Sequence, residues 1–263
     1  DCLLSRGLGD VYKRQVFIMS EMISRRSFLK VAGISAMGVA AFGLTGCGGG
    51  GGGSSSTDTV YGVVTDEQLK SLGIPEVGDF SQLEDKQKEA LAKIVPACKN
   101  VWFPLDDVSS VTAPSSVSPG QSIGENNEII LLEYSVINQS TSVTVNFERS
   151  KFELGNERAK ILKAVMEAED KTKTVYQSKD FTVKYDGKAQ PAISCGYAYT
   201  GASGKGAAPV NPSVAPKGQG IMEVYAIVPK GWSTLDVTYT PNFDKDTTFK
   251  YRVKSTDVDG DDE

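Results

Sequence analysis

The chain has 263 residues, of which 40% are hydrophobic and 23% are charged, and its formal net charge is −5 at pH 7. This length accommodates one domain of ordinary size together with a leader and a tether. The absence of histidine excludes Ser-His-Asp and Cys-His catalysis, His-based zinc sites and haem held through histidine.

Acidic residues predominate after residue 47. Residues 1–47 hold six of the 28 Lys and Arg residues and three of the 33 Asp and Glu residues, so 22 basic and 30 acidic residues remain, a net charge of −8. An acidic surface repels phosphate backbones and anionic lipid. We therefore expect no nucleic acid partner.

Residues 1–18 are interpreted as a leader that is not native to the protein. The chain opens at Asp1, and Asp1–Gln15 resembles a translated sequencing adapter without apolar periodicity. We leave this segment out of fold reasoning and expect the natural start at Met19 or Met22.

Residues 19–46 have the layout of an export signal. Arg25 and Arg26 form a paired positive segment, and an apolar run diluted by glycine follows from Val31 to Leu44. At about 1.5 Å per residue, a helix of that length falls short of a hydrocarbon core of about 30 Å, which favours a signal peptide over a membrane span. Ser24–Lys30 resembles a twin-arginine export signal along the whole motif.

The residues that end this signal, Leu44–Cys47, read Leu-Thr-Gly-Cys and resemble the lipobox of bacterial lipoproteins. The resemblance implies that the thiol of Cys47 is alkylated with diacylglycerol and that the chain is cut just before it. Two acyl chains hold a protein at a membrane far more firmly than one. We expect an extracytoplasmic protein anchored to the cell membrane by its amino-terminal lipid; the alternative is a short hydrophobic terminus with an incidental cysteine.

A flexible tether and a helical segment come next. Residues 47–59 combine the anchor with a Gly/Ser linker, and residues 60–96 form a helical prelude. Asp66–Leu72 is predicted as a short helix capped by Thr65 and Gln68 and closed by Gly73. A better helix is predicted over Ser81–Ile94, with a capping box formed by Ser81 and Glu84.

Residues 97–254 are predicted to form one β domain. Glu128–Ile137 is a long alternating strand, with Ile130, Leu132, Tyr134 and Val136 on one face. Further short strands end at Gly or Pro turns, and Asp186-Gly187 is a strong hairpin signal. This spacing favours an antiparallel sandwich. Ala159–Ala168 is ambiguous, since its apolar residues fit a helix at least as well as a strand.

Two cysteines and several aromatic residues are candidates for further roles. Cys98 and Cys195 form an even pair in an exported protein, so they are a candidate disulfide; the alternative is two buried thiols. Tyr197, Tyr199 and Trp232 could form a stacking platform for sugar rings or peptide, although in a sandwich most aromatic residues belong to the core.

Carboxylate groups suggest neither catalysis nor a metal site. Pairs such as Asp106 and Asp107 are interpreted as parts of solvated faces, because nothing in the sequence places them in a pocket. The acidic tail, residues 255–263, has its glycine at the fourth position of the acidic run and not the sixth, unlike a calcium loop. We expect no metal and no cofactor.

Several structural motifs resemble the telokin-like, immunoglobulin-like domains of bacterial cell-surface lipoproteins. They are the long strand ending at Asn138, the Phe-x-Leu run beginning at Phe152, the turn at Gly218 and the strand ending in Val228-Pro229. The resemblance covers roughly residues 117–241 and implies a mainly β, immunoglobulin-like antiparallel sandwich with a short N-terminal helical segment. It implies no catalytic residues.

These patterns predict a non-enzymatic surface module that binds an extracellular protein or polymer. The alternatives are a carbohydrate- or cell-wall-binding module, which would use a glycan platform, and an accessory subunit of an exported complex. The twin-arginine resemblance motivates the last of these, because that route carries folded cargo.

Overall fold

The computed structural model describes residues 59–74, 83–112, 123–150, 157–169, 176–190 and 213–259. Three α-helices lie in these ranges: α1 Asp66–Ser71, α2 Asp85–Leu91 and α3 Glu157–Glu169. The strands of the described residues, in chain order, are β1 Val60–Tyr61, β2 Ala97–Cys98, β3 Val101–Trp102, β4 Leu105–Val111, β5 Asn127–Asn138, β6 Val145–Asn146, β7 Arg149–Ser150, β8 Gln177–Ser178, β9 Phe181–Tyr185, β10 Lys188–Gln190, β11 Ser213–Val214, β12 Gln219–Pro229, β13 Thr234–Tyr239 and β14 Phe249–Lys254.

The strands form two main sheets. Sheet A has the order β1-β14-β13-β9-β10, in which β1 runs parallel to β14 and the other pairs are antiparallel. Sheet B has the order β12-β5-β3-β2, and β4 also pairs with β5. Two short pairs, β11 with β6 and β7 with β8, lie outside these sheets. The long pairing of β12 with β5 is the backbone of sheet B.

The core lies between the two sheets and contains side chains from both. Alternate residues of β5, including Leu132 and Tyr134, meet alternate residues of sheet A, including Phe181 and Tyr239. The rings of Phe181 and Tyr239 stack with their centroids 4.5 Å apart. The hydroxyl of Tyr251 donates to the carbonyl of Phe103 at 2.9 Å, which satisfies a buried polar group. The predicted mainly β sandwich is therefore confirmed.

The helical prelude covers one end of sheet B. Thr65 caps α1 through the predicted capping box with Gln68, and Gly73 follows the helix at φ 73°. α2 is shorter than the predicted helix over 81–94: it begins after Glu84, whose side chain and backbone form the capping box with Gln87. Ser81, the predicted cap, lies outside the described residues.

The ambiguous segment around residues 159–168 is helical and lies within α3. Its buried residues pack on the outer side of sheet B, where they contact Ile129, Tyr225 and Ile227. A helix is favoured here because its apolar residues recur at helical spacing and find an apolar sheet surface to cover. The buried residues of this face of α3 are Ile161, Leu162, Val165 and Met166.

The residues at two turns explain the geometry of those turns. Asp186 and Gly187 connect β9 to β10 with φ values of 42° and 78°, which is the positive-φ pair that a two-residue hairpin requires. Asn138 ends β5 and is fully buried. Its side-chain amide donates to the carbonyl groups of Val143 at 2.8 Å and Ala215 at 3.0 Å, so one residue ties two loops together.

Candidate interaction surface

The outer face of sheet A is exposed or half-buried, and its charged side chains are mostly basic. Strands β9, β13 and β14 alternate, with one set of residues buried in the core and the other set facing away from it. We call this outward surface the basic face and define it by its charged residues, which are Lys184, Asp236, Lys250, Arg252 and Lys254. Threonines, among them Thr182 and Thr238, lie between the charges.

The strand register fixes how these charges are arranged. Asp236 lies directly between Arg252 on one neighbouring strand and Lys184 on the other. The Nε of Arg252 donates to Oδ1 of Asp236 at 2.7 Å. That hydrogen bond and the charge of Asp236 raise the pKa of Arg252, so the guanidinium remains a cation. Within the described residues, no carboxylate lies within ion-pair distance of Lys184, Lys250 or Lys254.

The cations of β14 form a regular row. Lys250, Arg252 and Lys254 are alternate residues of one strand, so their side chains leave the same side of the sheet about 7 Å apart. Lys184 stands across from this row, two strands away. The four cations outnumber Asp236 and Asp186, the carboxylate that borders this face beside Thr234, so the basic face is positive on a protein whose overall charge is negative.

This face offers little apolar surface. Val60, at 47% exposure, is the one large hydrophobic residue of the described part that is exposed, and it pairs with Lys250 at the edge of sheet A. The face consists otherwise of charged groups, hydroxyls and small side chains. It therefore differs from a stacking platform and from the apolar centre of a typical protein interface.

The outer face of sheet B contrasts with the basic face because helices cover it. At one end α3 packs on the sheet, and at the other end Leu69, Leu91 and Val95 of the helical prelude pack around Ile137. Between these two covers, carboxylates from three adjacent strands lie side by side, since Glu133 pairs with Asp107 on one neighbour and with Glu223 on the other. We call these three residues the acidic row.

Asp106 and Asp107 are buried, which corrects the expectation that they lie on a solvated face. Each is 4% exposed, and Glu133 is 7% exposed. The register of β4 shifts between Leu105 and Asp107, and this irregularity leaves Asp106 to accept a hydrogen bond from the hydroxyl of Ser135 while Asp107 stands opposite Glu133. Strict alternation would have placed the two carboxylates on opposite sides of the sheet.

A third group of charges lies where β9 begins. Asp180 is 5% exposed, and one of its carboxylate oxygens accepts the backbone N–H of Glu148 at 2.6 Å. Burial raises the pKa of Asp180 to about 6, against the lowering effect of that hydrogen bond. Lys245 lies 2.9 Å from the carboxylate of Glu148, where its hydrogen bond lowers the pKa of Glu148.

The residues that the sequence proposed for function are only partly within the described ranges. Trp232 is 4% exposed and donates its indole N–H to Glu128 at 2.9 Å, so it takes the core role left open above and offers no face to a ligand. Cys98 lies half-buried in β2. The others lie outside the described residues: Arg25, Arg26, Cys47, Cys195, Tyr197 and Tyr199.

Sequence reasoning did not single out the basic face, although the signal is present. Phe249–Lys254 alternates aromatic or aliphatic residues with Lys, Arg and Lys. Such a strand places all its cations on one surface, because successive side chains point to opposite sides. The acidic net charge of the chain does not reveal this local concentration of positive charge.

Among the described residues, no helix is long and apolar enough to cross a membrane. In the same part of the chain, no group of three or more Cys, Asp or Glu residues is arranged to hold a metal ion.

Comparisons with known proteins give a sparse result. No protein-family model matches the chain, and no curated protein matches it. Among solved structures, the chain is similar to an uncharacterized beta-sandwich protein from Clostridium difficile 630, at 10% identity and a TM-score of 0.30, over 61% of this chain and 89% of that one. A likeness this weak carries no argument about function, so the sandwich architecture rests on the sheets described above.

Proposed function

We propose that the protein is a lipid-anchored, extracytoplasmic surface protein whose sandwich is a non-enzymatic module for binding a protein or polymer. The observation that carries the proposal is the order of its N-terminal segments. Paired arginines, a short apolar run, Leu-Thr-Gly-Cys and a Gly/Ser stretch follow one another within residues 24–56. Each segment has a separate physical role in export, acylation or spacing.

Two further observations support a binding role. The chain has no histidine, which removes the commonest general base from any reaction scheme. The resemblance to telokin-like domains of cell-surface lipoproteins points in the same direction and brings no catalytic residues. A turnover that depends on a point mutation in the sandwich would overturn the non-enzymatic part of the proposal.

Mass spectrometry of the native protein tests the anchor. We expect the mature chain to begin at Cys47, to carry diacylglycerol on that sulfur and to partition with membranes. Cys47→Ala should leave an uncleaved precursor without lipid, whereas Cys98→Ala is the matched control and should be acylated normally. An unmodified thiol at position 47 of the native protein, or a different mature terminus, would contradict the proposal.

A further inference from the structure

We propose that the basic face binds a linear extracellular polyanion, of the class that repeats one phosphodiester group per short uncharged unit. This inference rests on the proposed function and names the partner of its binding module. The juxtaposition that carries it is the row Lys250, Arg252 and Lys254 on β14 with Lys184 two strands away.

The spacing of the cations suits an extended polymer. Alternate residues of a strand are about 7 Å apart, so the row presents three cations along a straight line. A chain in which three carbons separate successive phosphates places its charges at a similar interval. Lys184 and the threonine hydroxyls beside it give a second line of contacts, since they lie on the same surface two strands away.

Charge outside the face would orient the encounter. Residues after position 47 carry a net charge of −8, so outside the four cations of the basic face the chain is net negative. Net repulsion from the rest of the protein and attraction to this sheet surface would favour contact at the basic face.

The composition of the face favours a polymer over a bilayer or a protein. Amphipathic elements that lie in a bilayer surface bury an apolar face there, and Val60 is the one exposed large hydrophobic residue of the described part. Protein interfaces are enriched in aromatic residues and depleted of lysine at their centres. Single-stranded nucleic acid is bound through stacked aromatic rings. The basic face presents hydroxyls and cations instead of such apolar or aromatic groups.

Asp236 supplies a test with the opposite sign. Its carboxylate lies at the centre of the basic face and forms an ion pair with Arg252. Removing its charge makes the face more positive and frees the guanidinium for a ligand. A merely adhesive surface elsewhere on the protein would not respond to this change.

The experiment measures binding of the full chain to a long poly(glycerol phosphate) at several salt concentrations. Lys184→Gln/Lys250→Gln/Lys254→Gln should weaken binding roughly fivefold per lysine, on the order of 100-fold in all. It should also flatten the dependence of log Kd on log salt by about two units of slope. Asp236→Asn should tighten binding by about fivefold. Lys70→Gln/Lys93→Gln/Lys230→Gln is the matched control, because it removes the same charge from exposed lysines elsewhere.

Neutral dextran, duplex DNA and vesicles of anionic phospholipid complete the assay. Preference for poly(glycerol phosphate) over all three supports the inference. Equal loss of binding in the two triple variants, stronger binding to vesicles or DNA, or no binding to the polymer would overturn it. If the polymer is not bound but the native protein is acylated at Cys47, the inference fails and the proposed anchoring stands. An unacylated native protein that binds the polymer would sink the proposed anchoring alone.

Discussion

The two outer faces of the sandwich are built from the same kind of strand but meet different surroundings. On sheet B, β5 carries apolar residues on both sides, and helices cover Ile129 at one end and Ile137 at the other. On sheet A, the outward positions of β9 and β14 are charged or hydroxylic and are exposed or half-buried. Whether helices cover a face therefore decides how strongly its side chains affect the stability of the fold.

The charged residues of the two outer faces also differ in their surroundings. Asp236 and Arg252 pair in the open, where water and salt weaken the attraction. Asp107 and Glu133 lie opposite one another and are buried, between the two parts of sheet B that the helices cover. The charged groups of the basic face are therefore exposed or half-buried, whereas Asp107 and Glu133 are buried.

Truncating a side chain beneath the cover is expected to have the largest effect. Leu162 is fully buried where α3 meets sheet B, so Leu162→Ala should lower the free energy of unfolding by about 2–5 kcal/mol through lost transfer energy and the cavity left behind. Urea denaturation followed by circular dichroism measures this.

The matched control for that variant lies on the open face. Lys184→Ala removes a long exposed side chain and should change the free energy of unfolding by less than about 1 kcal/mol. Equal losses for both variants would mean that α3 does not cover sheet B in solution.

An intermediate effect is expected at Asp180, a buried carboxylate beside the open sheet. Its pKa is raised from 3.8 to about 6, so between these values the folded state binds more protons than the unfolded state. The contribution of Asp180 to the free energy of unfolding therefore falls as the pH rises from about 4 to about 6. Above pH 6 the burial of its charge destabilises the fold in full. Asp180→Asn keeps an oxygen for the N–H of Glu148 and should be more stable than the native chain at pH 7.5, by about 1–3 kcal/mol.

The advantage of Asp180→Asn should shrink toward zero as the pH approaches 4, where the native carboxyl is protonated as well. Thermal unfolding at a series of pH values follows this difference. Glu148→Gln measures the smaller contribution of a neighbouring charge, since the carboxylate of Glu148 also raises the pKa of Asp180 while the backbone N–H that Asp180 accepts is kept. A difference that stays constant from pH 4 to pH 7.5 would contradict burial as the cause of the raised pKa.

Much of the fold could be predicted because local signals were unambiguous. Thr65 and Gln68 cap α1, and Asp186-Gly187 forms the hairpin, since in both cases a short sequence determines the backbone geometry on its own. The inward face of β5 was also predicted correctly, from Ile130, Leu132, Tyr134 and Val136.

What the sequence did not predict depends on contacts between distant segments. Ile129 and Leu131 alternate with the predicted core positions of β5, and the helix that packs on them, α3, lies more than twenty-five residues further along the chain. The burial of Asp106 and Asp107 was not predicted, because it depends on a shift of strand register and not on simple alternation. The basic face required knowing that β9 and β14 flank the same central strand, β13.

The smallest expected effect on stability is at the centre of the basic face. Asp236→Asn removes an exposed ion pair whose attraction water and salt largely offset, so the free energy of unfolding should hardly change. The same substitution is expected to strengthen polyanion binding, so the binding affinity should change while the free energy of unfolding stays nearly constant. Urea denaturation and a binding titration on one preparation would separate the two. A large loss of stability would show that Asp236 has a packing role, and the open face would then resemble the covered one in how it responds to the loss of a charge.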